Sequence, residues 1–168
     1  MFGRCFLILF TALFSTAVSA FAAANDTEPA PRFHAKTTTG ETYNNQSIKG
    51  KVVLLEFWTT WCPYCKQEEA LVDNINREFG DKGLLVLAID VAESKKKVKQ
   101  YLAEHPRSCR IVLTEDTNLA AMYAATSYPI YVVIDRDGNI AGEQRGAAGE
   151  SALRNLLRNA GIGADSDK

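Results

Sequence analysis

The chain has 168 residues, 46% hydrophobic and 23% charged, with a formal charge of -1 at pH 7. That balance excludes a polyanion partner such as nucleic acid. The length suits one domain able to bury a core without disulfide or metal staples.

Arg4 is the only charge at the start, and Cys5 to Phe21 is apolar or small. The stretch reaches Val18-Ser19-Ala20 and Ala20-Phe21-Ala22, both of which fit small-residue cleavage rules. This predicts a signal peptide over residues 1–24, cut between about 20 and 24. An uncleaved membrane anchor, with the domain outside the cytoplasm, is the competing reading. No lipobox precedes Cys5. Residues 25–32 read as a flexible leader, 33–162 as the folded domain and 163–168 as a flexible tail. Cys5 leaves with the signal, so Cys62, Cys65 and Cys109 remain. An odd number in an exported chain argues against a purely structural disulfide framework.

Within the domain, Phe33 to Tyr43 reads as two short strands around Thr39-Gly40. Lys51 to Trp58 is an apolar run of strand length. A helix runs from Pro63 to Phe79, with proline at its first position and Gly80 at its end. Leu71, Val72, Ile75 and Phe79 mark its buried face. Leu84 to Asp90 is a second buried strand, and Ser94 caps a helix that stops before Pro106. Arg110 to Leu113 is a short strand, and Asp116 or Thr117 caps a further helix. Ile130 to Ile134 and Asn139 to Arg145 form a hairpin around Asp137-Gly138. A last helix carries Leu153, Leu156, Leu157 and Ala160, closed by Gly161. Alternating strands and helices around a mixed sheet give an α/β domain.

The chemistry lies in Trp61-Cys62-Pro63-Tyr64-Cys65. The strand-to-helix junction puts Cys62 at a helix N-terminus, where free N–H groups and the macrodipole favour a thiolate. The thiolate is the attacking species in disulfide exchange, and a cysteine one turn on can close the ring. Glu56 interrupts an apolar strand six residues before Cys62. Buried there, its carboxyl is pushed up by desolvation and can take the proton of Cys65; strand alternation offers a weaker alternative, in which it faces solvent. Glu68, three residues after Cys65, shares that cysteine's helical face and reads either as a redox-tuning acid or as an exposed helix glutamate.

The combination resembles the TlpA/ResA-like group of exported thiol-disulfide oxidoreductases, over about Phe33 to Gly161. The residues that carry the resemblance are Gly50-Lys51-Val52-Val53, Leu54 through Cys62, and Tyr128-Pro129 followed by Ile130 to Asp135 and Asp137-Gly138. It implies a thioredoxin fold: a central mixed sheet flanked by helices, an N-terminal β-hairpin and a strand-helix insertion between Asp90 and Tyr128. It also implies a cis bond before Pro129, facing the dithiol. Cys62, Cys65 and Glu56 are the candidate catalytic set. Trp61, Pro63, Tyr64, Tyr128 and Pro129 are the candidate substrate-binding set, and Cys65-Lys66-Gln67-Glu68 fits the group's usual acid. Two departures bear on substrate and direction. Tyr128 is larger than the group's usual residue there, and proline comes first in the Cys62–Cys65 pair, where reducing members often have it second.

The implied activity is protein disulfide reduction, serving cytochrome c maturation or related redox homeostasis, with a periplasmic oxidase or isomerase as the alternative. The implied partners are protein thiols and disulfides and a membrane electron donor. The chain is expected to be a monomer, to need no cofactor beyond its dithiol and to insert stably in no membrane once the signal is cut. Zinc needs more ligands than the isolated His34 and His105 supply. A copper-assembly factor would space its cysteines by three residues and place a histidine near the cis-proline. A peroxidase of the Pro-x-x-x-Thr-x-x-Cys type would need proline where Leu55 stands, although Thr59 fits. Cys109 reads as a small buried apolar residue and the Lys95-Lys96-Lys97-Val98-Lys99 run as a solvated helix face.

Overall fold

The computed structural model describes residues 28–147 and 149–163. The expected signal segment lies outside them. Seven strands form one sheet in the order β2-β1-β5-β4-β3-β6-β7. They are β1 (His34–Thr37), β2 (Thr42–Asn44), β3 (Val52–Trp58), β4 (Leu84–Asp90), β5 (Arg110–Thr117), β6 (Ile130–Ile134) and β7 (Ile140–Arg145). The helices are α1 (Pro63–Phe79), α2 (Lys95–Glu104), α3 (Leu119–Met122) and α4 (Gly149–Asn159). The domain is the thioredoxin-like α/β fold, with α2, β5 and α3 filling the segment between β4 and β6.

β3, β4 and β6 are buried along their whole length, which is why they read as unbroken apolar runs. β3 pairs in parallel with β4 and antiparallel with β6, so Glu56 stands beside Ala88 on one side and Tyr131 on the other. Alternation sends Val52, Leu54 and Trp58 to a core shared with Cys65, Val72 and Ile75 of α1 and Leu153 and Leu157 of α4. Val53, Leu55 and Phe57 go to the opposite core, with Ile48, Leu119 and Tyr123. Glu56 has the parity of Leu54 and Trp58, so it belongs to the α1 side.

Two elements differ from expectation. β5 runs on to Thr117, because its second half pairs with β1, where Ala35 meets Thr117. α3 is only four residues long and starts after Asn118, which makes no side-chain cap; the expected Thr117, now at the end of β5, still accepts Leu119 N at its Oγ1 at 3.1 Å. Ser94 does cap α2, its Oγ accepting from Lys97 N at 3.3 Å.

Candidate active site

Cys62 is the N-cap of α1, with extended backbone angles, and Pro63 takes the first helical position. Proline costs nothing there, since that N–H would have no intrahelical partner anyway. The Cys62 sulfur accepts the backbone N–H of Cys65 at 3.1 Å. The two cysteines are joined as a disulfide with Cα atoms 5.3 Å apart. Cys65 is wholly buried, and Cys62 is only 3% exposed. In the closed ring Cys62 is nearly as covered as its partner. The exposed groups are its neighbours, Trp61 at 61% and Tyr64 at 58%.

Trp61 meets Tyr128 edge-on, ring centres 5.9 Å apart. The Tyr128–Pro129 peptide bond is cis, and the Tyr128 hydroxyl donates to Ala125 O at 3.1 Å. The structure thus brings the residues before Cys62 and before Pro129 together as one aromatic rim.

Glu68 is buried, not exposed. Its Oε2 accepts from the Tyr131 hydroxyl at 2.8 Å and its Oε1 from Gly149 N at 2.5 Å. It therefore ties α1 to β6 and to the start of α4, and burial together with the neighbouring Glu56 and Glu68 pushes the Tyr131 hydroxyl well above the ordinary tyrosine range.

Glu56 is completely buried, which removes the solvent-facing alternative. Its Oε2 accepts from Arg107 Nη2 at 2.8 Å, while Oε1 has no hydrogen-bond partner. Arg107 Nε donates to Asp73 Oδ1 at 3.1 Å, and its guanidinium stacks 5.6 Å from the Trp58 ring. Burial pushes the Glu56 carboxyl up, opposed by the charge and hydrogen bond of Arg107. Burial works against the Arg107 charge too, but Glu56 and Asp73 hold it in place. Cys109 is buried beside this group as a free thiol, pushed up chiefly by desolvation.

A second acidic group grips the active-site loop at Thr60. Glu93 accepts from Thr60 N at 2.5 Å and from Thr60 Oγ1 at 2.8 Å, and pairs with Lys97 at 2.5 Å. Burial raises the Glu93 carboxyl, but Lys97, Thr60 and Asp90 together hold it below the ordinary range. Asp90, opposite Trp58 in the β3–β4 register, is fully buried. As an anion it has no donor at either oxygen. Protonated, it donates to Glu93, and burial plus that neighbour push it up to about 8. Arg107, Asp73, Asp90, Glu93 and Thr60 were all missed by sequence reasoning. The available signals were slight: Asp90 ends an apolar strand, and Arg107 sits between Pro106 and the next strand.

Among the described residues no group of histidine, cysteine and carboxylate side chains is arranged to hold a metal. No helix among them is long and apolar enough to cross a membrane.

The Redoxin family model matches residues 23–157. The chain belongs to the Redoxin family. Among curated relatives of this Redoxin protein, the thioredoxin-like protein YneN of Bacillus subtilis is 36% identical over 115 residues, 67% of each chain. The thiol-disulfide oxidoreductase ResA of the same organism is 28% identical over 155 residues, 90% of this chain and 87% of ResA. Among solved structures, a thiol:disulfide interchange protein of the thioredoxin family from Chlorobium tepidum superposes with a TM-score of 0.69 at 25% identity, covering 80% of this chain and 96% of the other. StoA from Bacillus subtilis shares the fold at 21% identity, with a TM-score of 0.65, covering 76% and 97%. This Redoxin protein is thus a TlpA/ResA-like protein-disulfide oxidoreductase with a Cys62–Cys65 pair, acting on protein thiols and disulfides.

Proposed function

We propose that the protein is an exported disulfide reductase in which Cys62 attacks, Cys65 resolves and Glu56 carries the proton. The observation that carries this reading is the Cys62 sulfur at the α1 N-cap, receiving an N–H from Cys65. That contact favours a thiolate on Cys62, as does the helix dipole. The Cys62 thiolate attacks one sulfur of a substrate disulfide, and the other leaves as a thiolate. Cys65 loses its proton to Glu56 and attacks the Cys62 sulfur, which expels the second substrate thiolate. Two electrons have then passed to the substrate, and the Cys62–Cys65 disulfide has formed.

Trp61, Tyr64, Tyr128 and Pro129 form the surface that receives the substrate chain. A membrane electron donor regenerates the dithiol, since an exported compartment does not keep it reduced. The likeness to ResA supports the reducing direction, with cytochrome c maturation as the service. Thiol trapping of Cys62 and Cys65 in growing cells tests it: a mostly reduced pair supports the reductase, and a mostly oxidised pair replaces it with an oxidase.

A further inference from the structure

The buried acid Glu56 on β3 does not stand alone. Arg107 is 1% exposed at its side chain, yet a guanidinium keeps its charge in proteins. It must therefore face at least one carboxylate anion, and it has two: Glu56 on β3 and Asp73 on α1. With both ionised the group carries one excess negative charge in a dry interior. With one proton added it is neutral. Glu56 Oε1, which lacks a hydrogen-bond partner, is the open seat for that proton. Segment 107–108 lies outside the active-site elements but is fixed to α1: Ser108 Oγ donates to Asp73 O at 3.2 Å, and Asn76 donates to Ser108 O at 2.9 Å.

We propose that Arg107 is a positioning residue for exchange: by bridging Glu56 and Asp73 it lets Glu56 take the Cys65 proton and return it while the guanidinium always keeps an anionic partner. When Cys65 gives up its proton, Glu56 becomes neutral and Arg107 remains paired with Asp73. When the Cys62–Cys65 disulfide is reduced again, the proton goes back. The other charged or titratable groups around Glu56 are Glu69 and Glu68 on α1, Tyr101 on α2, Cys109 just before β5 and Tyr131 on β6. Against these groups Arg107 is the cation paired with Glu56, so the balance turns on it. The proposal rests on Glu56 being the proton acceptor.

The test uses the reduced full chain and an aryl disulfide that releases a coloured thiolate. The first thiolate reports attack by Cys62 and the second reports resolution by Cys65, so the two steps separate in one stopped-flow trace. Arg107→Met leaves Glu56 among anions, so Glu56 holds a proton at neutral pH. The acid limb of the second phase moves up by one pH unit or more, a tenfold or greater loss of rate on that limb. The first phase keeps its rate. Asp73→Asn has the opposite effect: Arg107 then depends on Glu56 alone, Glu56 stays ionised, and the limb moves down. Arg107→Lys restores the charge and brings the limb back toward wild type. A structural role alone would move both variants the same way. Second-phase profiles of Asp73→Asn and of folded Arg107→Met that overlay wild type overturn the proposal, and Asp73→Asn decides alone if Arg107→Met does not fold. Glu56→Gln separates the two levels. If it leaves the second phase untouched, the proton-acceptor reading and this proposal fall together. If it abolishes the limb while the Arg107 and Asp73 variants do not move it, the proposal alone falls.

Discussion

Asp90→Asn should make the protein's stability less dependent on pH. Asp90 is fully buried beneath the loop that leads to Cys62, and its carboxyl is pushed up to about 8 by burial and by Glu93. In the unfolded chain an aspartate ionises near its ordinary value of about 3.9. Between these two values the folded protein holds a proton that the unfolded chain has lost. The stabilising contribution is thus full below the unfolded value and is lost as pH rises toward 8. The slope is about 1.4 kcal/mol per pH unit, so wild type should lose roughly 2.5 kcal/mol from this group between pH 5 and 7. Glu93 is held low and titrates below that window, so it adds little to the slope. Asparagine keeps a donor for Glu93 and has nothing to titrate. Urea unfolding of the oxidised protein at pH 5, 6 and 7 gives the two slopes, and their difference isolates Asp90 from other buried acids. Parallel lines for wild type and Asp90→Asn would refute the reasoning.

Cys65→Ser should accumulate mixed disulfides with protein partners on non-reducing gels, whereas Cys62→Ser should trap none. The reverse pattern would exchange the two roles. Arg107→Met, which leaves Asp73 without its buried cation and forces a proton onto Glu56, should lower the unfolding free energy by about 3 kcal/mol at neutral pH in denaturant titrations. Glu68→Leu removes the acceptor for the Tyr131 hydroxyl and Gly149 N, and should cost about 1–3 kcal/mol in the same assay. For the aromatic rim, a double-mutant cycle of Trp61→Ala and Tyr128→Thr should give a coupling of about 0.5 kcal/mol, the low end for an edge-on pair because Trp61 is largely exposed. The Tyr128 change should also raise the ratio of folded-protein to small-disulfide turnover, and an unchanged ratio would leave Tyr128 a packing residue only.

The strands were legible because burial on both faces writes itself as an apolar run, and β3, β4 and β6 are such runs. The dithiol was legible because its chemistry is local: Cys62, Pro63 and Cys65 lie within one turn. Glu56 could be singled out because a charge in a buried strand is anomalous on its own. Its partner could not, since Arg107 arrives from 51 residues away and an arginine beside a proline is unremarkable in sequence. Glu93 escaped for the same reason: its bond to Thr60 spans 33 residues. The length of β5 was misread because its second half is stabilised by pairing with β1 and carries the adjacent acids Glu115 and Asp116, which strand propensity disfavours.

Ala92 gives the loop after β4 an unusual intolerance to change. The residue is exposed, which ordinarily means freedom to vary, yet its backbone lies in the left-handed region with φ of 61°. Its N–H is fixed to Thr114 Oγ1 at 2.9 Å, and the next residue, Glu93, holds Thr60. Glycine, asparagine or aspartate can take that conformation at little cost, whereas valine or isoleucine would be driven out of it. A β-branched side chain at this exposed position would still draw Glu93 away from Thr60. Drift at this surface position is therefore confined to a handful of residue types, by a restriction that originates in the backbone and is enforced at Cys62, two residues beyond Thr60.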